Sequence, residues 1–172
     1  MTTTSHAADV QYACTVLSSP TLIRLITEID DNGPIPPRGL TGTLADRTPH
    51  HIRQATDLAR ALGLVRVRPG VGLDLTTSGR ELADLYDATV RWARHHAHPA
   101  PVADFISRIQ RTFALLAETE VPSAQDGRHC PADDRSPSAQ AVADLVRPRD
   151  LLSQWLLANP QAAQLTVPEP AA

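Results

Sequence analysis

Apolar residues recur along this chain at helical spacing, and turn chemistry interrupts them at short intervals. Val10, Ala13, Cys14 and Leu17 fall at i, i+3, i+4 and i+7, which predicts an amphipathic helix from His6 to Leu17 after a frayed, polar start at Met1 to Ser5. Ser19 fits an N-cap with Pro20 at the first helical position. The helix it opens carries Leu22, Ile23, Leu25, Ile26 and Ile29, too much apolar surface to face solvent, so it should lie in the core and end near Asp30. Asp31-Asn32-Gly33-Pro34 supplies a turn and Pro36-Pro37 keeps the chain extended. A short helix should follow, from Arg38 or Gly39 to near Asp46, with Leu40 and Leu44 turned inward.

Thr48-Pro49 repeats the capping pattern. Ile52, Ala55, Leu58, Ala59 and Leu62 then define one face of a helix that Gly63 closes as a left-handed C′ residue. Leu64 to Arg68 and Leu73 to Leu75 read as two short strands joined by Pro69-Gly70-Val71-Gly72, with Val65 and Val67 toward the core. Thr76 or Thr77 caps a long helix to about His95, striped by Leu82, Leu85, Tyr86, Thr89 and Trp92. Pro99 and Pro101 end it. A further helix is expected from about Val102 to Glu118, then a loop from Val121 to Pro137, then a helix from Ser138 to Ala158 interrupted near Pro148. The domain boundaries that follow are an N-terminal arm at 1–19, a central domain at 20–98, a C-terminal helical segment at 99–158 and a flexible tail at 159–172.

Composition narrows the partners. A formal charge of −3 argues against indiscriminate coating of nucleic acid, which needs many cations to neutralise phosphates. A local basic face remains open. All 16 basic residues are arginine, each able to fork onto phosphate or guanine, although GC-rich codon usage explains the bias as well. No run is long and apolar enough to span a membrane and no signal peptide opens the chain, so a cytoplasmic protein without membrane contact is expected. Cys14 and Cys130 form no CxxC pair, so neither a disulfide framework nor a zinc knuckle is indicated.

The helix opened by Thr48 leaves His50, His51, Arg53, Gln54, Asp57 and Arg60 outside its core face. Thr48 and the helix N-terminus suit a phosphate, His50, His51 and Gln54 suit base edges, and Arg53 suits a guanine or a phosphate. Arg66 and Arg68 alternate with Val65 and Val67 and so share the other side of the hairpin. The competing reading of the helix is an ordinary solvated face, since Arg53 with Asp57 and Asp57 with Arg60 have ion-pair spacing. The capped turn and the basic hairpin tip the balance toward DNA.

The order α, α, α, β, β, α from Pro20 to His95 is that of a winged helix-turn-helix, giving a mainly α fold with a small two-stranded β-wing and extra C-terminal helices. Pro49-His50-His51-Ile52, Ala61-Leu62-Gly63-Leu64-Val65 and Leu75-Thr76-Thr77-Ser78-Gly79-Arg80-Glu81-Leu82 resemble the winged-helix transcription regulators of the HxlR and MarR type. The resemblance implies a homodimer whose two recognition helices meet half-sites on double-stranded DNA about one turn apart. DNA contacts are accordingly expected from Thr48, His50, His51, Arg53, Gln54, Arg60, Arg66 and Arg68. Tyr86, Trp92, Phe105, Phe113 and Trp155 are expected at a dimer surface or around a small-molecule effector.

Other residues invite weaker readings. Cys14 is better explained as a small buried hydrophobe than as a redox sensor. His95, His96, His98 and the His129-Cys130 pair have poor metal-ligand spacing, so no metal or cofactor is expected. No nucleophile elbow, phosphate loop or HExxH sequence appears, and no enzyme activity is expected. The main rival is a winged helix used for protein pairing alone, as in the dimerisation domain of small-molecule O-methyltransferases, which the same segment also resembles. A pairing module would cover the Thr48 to Arg60 helix with its partner, whereas a regulator leaves it open.

Overall fold

The strongly apolar segment after Ser19 takes the central position that its composition requires. In the computed structural model, which describes residues 3–36, 38–119 and 137–162, it forms α2 (Pro20–Asn32). Thr21, Leu22, Ile23, Leu25, Ile26 and Ile29 are all buried, and α2 ends at Gly33, whose φ of +85° is open to glycine without strain. Before it, α1 (Thr3–Leu17) buries Val10, Ala13, Cys14 and Leu17. After it come α3 (Leu40–Thr43) and α4 (Pro49–Ala61). The short helix expected up to Asp46 thus spans a single turn, with Leu44 buried just beyond its end.

Strands β1 (Val65–Arg68) and β2 (Gly72–Leu75) pair antiparallel in the register Val65↔Leu75, Arg66↔Asp74, Val67↔Leu73 and Arg68↔Gly72. Pro69 precedes Gly70, whose φ of +74° suits position i+2 of a type II turn closed by the Val71 amide donating to the Arg68 carbonyl at 3.1 Å. Ile35 adds a bridge to the outer side of β2: the Ile35 and Leu73 amides each donate to the other's carbonyl, at 3.0 and 2.8 Å. Gly72 permits this, because a Cβ there would stand 2.1 Å from the Ile35 oxygen. Val67 departs from expectation: instead of facing the core it is 59% exposed, since the hairpin projects beyond the helices that bury Val65, Leu73 and Leu75.

Helix α5 (Thr77–His95) begins at the N-cap Thr76, whose hydroxyl accepts from the Gly79 amide, and it packs against α2, α6 and α8. Helix α6 (Phe105–Thr119) starts later than the apolar pattern suggests. Asp104 caps it, accepting from the Ser107 amide at 2.9 Å and the Ser107 hydroxyl at 2.5 Å, and Val102 is left outside in solvent. The last expected helix is two, α7 (Ala139–Ala143) and α8 (Val146–Ala158), broken at Asp144-Leu145. Pro148 does not cause the break. It sits in the first turn of α8, where a missing amide costs little.

The aromatic residues tie the chain into one core, so 99–158 is not a detached segment. The Tyr86 hydroxyl donates to the Leu17 carbonyl at 2.6 Å, the Trp92 indole to Ala141 at 3.0 Å and the Trp155 indole to Ser78 at 2.9 Å. Nor is residue 159 the start of a free tail: Pro160–Ala162 form a 3-10 turn, Asn159 and Ala162 are buried, and the Gln161 amide donates to Leu62 at the end of α4. The loop expected at Val121 to Pro137, with His129 and Cys130, lies almost wholly outside the described residues, as does the chain after Ala162. Among the described residues, no helix is long and apolar enough to cross a membrane.

Candidate nucleic-acid interface

Both ends of α4 are fixed by local chemistry. The Thr48 hydroxyl accepts from the His51 amide at 3.3 Å and Pro49 has no amide to satisfy, so the His50 amide is the first-turn donor left pointing out of the helix end. At the other end, the Gly63 amide donates to Arg60 at 2.9 Å and the Leu64 amide to Ala59 at 2.8 Å, the paired bonds of a Schellman motif with Gly63 at φ +67°. Ile52, Ala55, Thr56 and Ala59 face inward, chiefly onto α2.

The opposite face is open. Thr48, His50, His51, Arg53, Gln54, Asp57 and Arg60 are all exposed. His50 and His51 stand together, ring centroids 5.9 Å apart. Arg60 lies 3.8 Å from Asp57, a loose surface pair. Among the described residues Arg53 makes no ion pair or side-chain hydrogen bond, so the Arg53–Asp57 pairing that its spacing allows is not formed. His50, Arg53, Asp57 and Arg60 follow one another at i,i+3 and i,i+4 spacing along one outward stripe, with Gln54 to its side.

The hairpin carries its two arginines differently. Arg66 is exposed and, among the described residues, makes no ion pair. Arg68 instead donates from Nη1 to Asp74 Oδ2 at 3.0 Å, and Arg80 Nη2 lies 4.0 Å from the other carboxylate oxygen. Asp74 is 5% exposed. Burial pushes its carboxyl up, but the hydrogen bond and charge of Arg68, with smaller help from the Leu75 amide and Arg80, outweigh that and hold it below the usual carboxylate range. Sequence reasoning missed Asp74. The signal was present, since a lone acid in β2 across a hairpin from two arginines invites cross-strand pairing.

The five aromatic residues expected at a dimer or effector surface do not form one. Tyr86, Phe113 and Trp155 are buried inside the chain, with the Tyr86 and Phe113 rings 5.9 Å apart. Burial alone pushes the Tyr86 phenol far above its usual range, so it is neutral. Each has more to gain from the apolar contacts and carbonyl acceptors within reach than from waiting at a surface. Trp92 is also buried, though it reaches the wall of a cavity of about 310 Å³ beside Arg91 and Arg147, and half-buried Phe105 borders a separate one beside Arg24 and Asp46.

The histidines beyond α5 meet different surroundings. His96 Nε2 lies 3.4 Å from Asp144 Oδ2, while His98 is buried against Trp92 with its Nε2 unpartnered. Burial, then the charges of Arg111 and Arg108, lower the His98 pKa and favour the neutral ring. Among the described residues no group of three metal-ligating side chains occurs. Comparison of the chain with protein-family models, with curated proteins and with solved structures returned no match.

Proposed function

We propose that this chain is a winged helix-turn-helix transcription regulator that binds double-stranded DNA sequence-specifically, as a homodimer, through α4 and the β1–β2 hairpin. The observation that carries the reading is the outward stripe of α4. A helix capped at both ends and packed firmly on α2 presents exposed His50, Arg53, Gln54 and Arg60, and among the described residues no ion pair draws Arg53 away. Rigid placement of forked donors is what base readout needs, and a good bidentate contact is worth about 1–3 kcal/mol of discrimination.

The outward His50 amide and the exposed Thr48 suit a phosphate at the helix end. The hairpin follows α4 directly, packs against it and offers Arg66 to the backbone. The homodimer comes from the resemblance to HxlR- and MarR-type regulators. Tyr86, Trp92, Phe113 and Trp155 are buried within the chain, which favours a pairing surface built from other residues.

A second reading, the protein-pairing module, is favoured by one feature: Val67 at 59% and Val71 at 41% exposure leave an apolar hairpin tip. Selection of bound fragments from source-genome DNA, followed by footprinting, separates the two. Enrichment of fragments sharing a two-fold repeat, with protection of half-sites about one turn apart, is the expected outcome. No enrichment, together with a dimer in sedimentation whose contacts cover α4, would replace the regulator with the pairing module.

A further inference from the structure

We propose that Asp74 restrains DNA binding by holding Arg68 back from the phosphate backbone, so that the hairpin offers DNA one arginine, Arg66, where its sequence contains two. This rests on the DNA-binding reading above.

Arg66, Arg68 and Asp74 lie on one face of the hairpin, since Arg66 and Asp74 are register partners and Arg68 is two residues from Arg66. Asp74 Oδ2 accepts from Arg68 Nη1 at 3.0 Å, and among the described residues no comparable bond reaches Arg66. The side chain of Arg68 is 49% exposed, whereas that of Asp74 is 7% exposed. The arginine is therefore within reach of a passing phosphate, while its carboxylate partner cannot turn out to water. A phosphate that recruits Arg68 must leave a buried charge with only the Leu75 amide and Arg80, which stands 4.0 Å away. The carboxyl stays ionised across the neutral range, so the charge facing Arg68 is present throughout it.

The arrangement reverses the usual expectation for a buried ion pair. Asp74→Asn keeps the size and an acceptor for Arg68 but removes the charge, so it should lower fold stability and yet tighten DNA binding. Anisotropy titration of a fluorescein-labelled random-sequence duplex against salt reads both affinity and slope. Asp74→Asn should bind about three- to tenfold more tightly at ~50 mM salt, with a log–log slope steeper by about 1, the signature of one more phosphate contact. In the wild-type background Arg68→Ala should change affinity by less than about twofold, and Arg66→Ala by clearly more. The double variant Asp74→Asn/Arg68→Ala should lose the gain.

A purely structural role for Asp74 predicts weaker binding on substitution, so equal or weaker binding by a folded Asp74→Asn overturns the proposal. A gain that persists without Arg68 overturns it too. Should Asp74→Asn fail to fold, Arg68→Ala decides alone: a loss as large as that of Arg66→Ala refutes the restraint. Absence of wild-type binding both to this duplex and to fragments selected from the source genome overturns the DNA-binding reading and this proposal together; if only a selected fragment binds, the same comparisons are read on it, and the other outcomes leave that reading standing.

Discussion

Single residues set the ends and joints on which everything else depends. Thr48 closes the first turn of α4 through its hydroxyl, so Thr48→Ala should lower stability by about 1 kcal/mol in urea denaturation, as loss of a side-chain cap does elsewhere. Glycines separate by what surrounds them. A Cβ on Gly79 would stand 2.2 Å from the Leu64 carbonyl oxygen, at the seam where Thr76 also bonds to Leu64, so Gly79→Ala should cost about 2 kcal/mol. Gly42 has nothing within 4 Å, and Gly42→Ala should be neutral or slightly stabilising in the same assay.

His98 gives the fold a pH dependence of known sign. Its folded pKa lies below the ordinary 6.5, so between the two values the unfolded chain binds the proton and the folded chain does not. The contribution of this residue is complete above about 6.5 and falls away as pH drops toward the folded value. Denaturation midpoints at pH 7.5 and 5.5 should therefore diverge more in the wild type than in His98→Gln; an equal drop in both would show that other groups carry the acid sensitivity.

Between elements, the joint from α5 to α6 depends on an unusual arginine. Arg108 is 7% exposed and spends its guanidinium on the carbonyls of Ala93, His98, Pro101 and Ala103, at 2.9 to 3.2 Å. No carboxylate shares it among the described residues. Arg108→Met would leave those buried acceptors unmet, and a loss of about 3 kcal/mol is expected, with Arg108→Lys recovering part of it. Helix α4 was legible in the sequence because its signals are local: Thr48-Pro49 at one end, Gly63 at the other and one apolar face between. The hairpin was legible for the same reason. The fate of Arg68 was not, because strand alternation gives a side but no partner. Arg108 was equally opaque, since its acceptors are backbone groups of an irregular segment that no side-chain pattern announces. The interruption expected near Pro148 falls just ahead of it, at Asp144-Leu145, because proline is tolerated in the first turn of the helix that follows.

Across the whole molecule one core runs from Val10 in α1 to Ala162 after α8. The sequence suggested a central domain with attached helices because the recognisable order of elements ends at His95, while the bonds from Trp92 to Ala141 and from Trp155 to Ser78 span about 50 and 80 positions. A chain ended after His98 would lose the cover of Tyr86 and Trp92 together, and it should show no cooperative transition by circular dichroism, whereas the full chain should unfold in one step. Charge is divided as well. Asp30, Asp31, Asp84 and Asp87 lie close enough to interact, and burial followed by this repulsion raises the Asp30 carboxyl; Asp30 also borders a cavity of about 290 Å³ together with Arg68, Asp74 and Arg80, so the acidic patch reaches the base of the hairpin. A chain with net charge −3 can still carry the local basic surface proposed for DNA, at exposed Arg53, Arg60 and Arg66.

The most direct test of that surface is the salt dependence of binding to a fragment selected from the source genome, measured by anisotropy for the wild type, Arg53→Ala and Arg66→Ala. Both substitutions should weaken binding and flatten the salt slope or the sequence preference, with loss of preference concentrated in Arg53→Ala and a slope reduced by about 1 in Arg66→Ala. Binding that neither substitution alters, or no sequence preference in the wild type, would contradict the assignment of α4 and the hairpin to DNA.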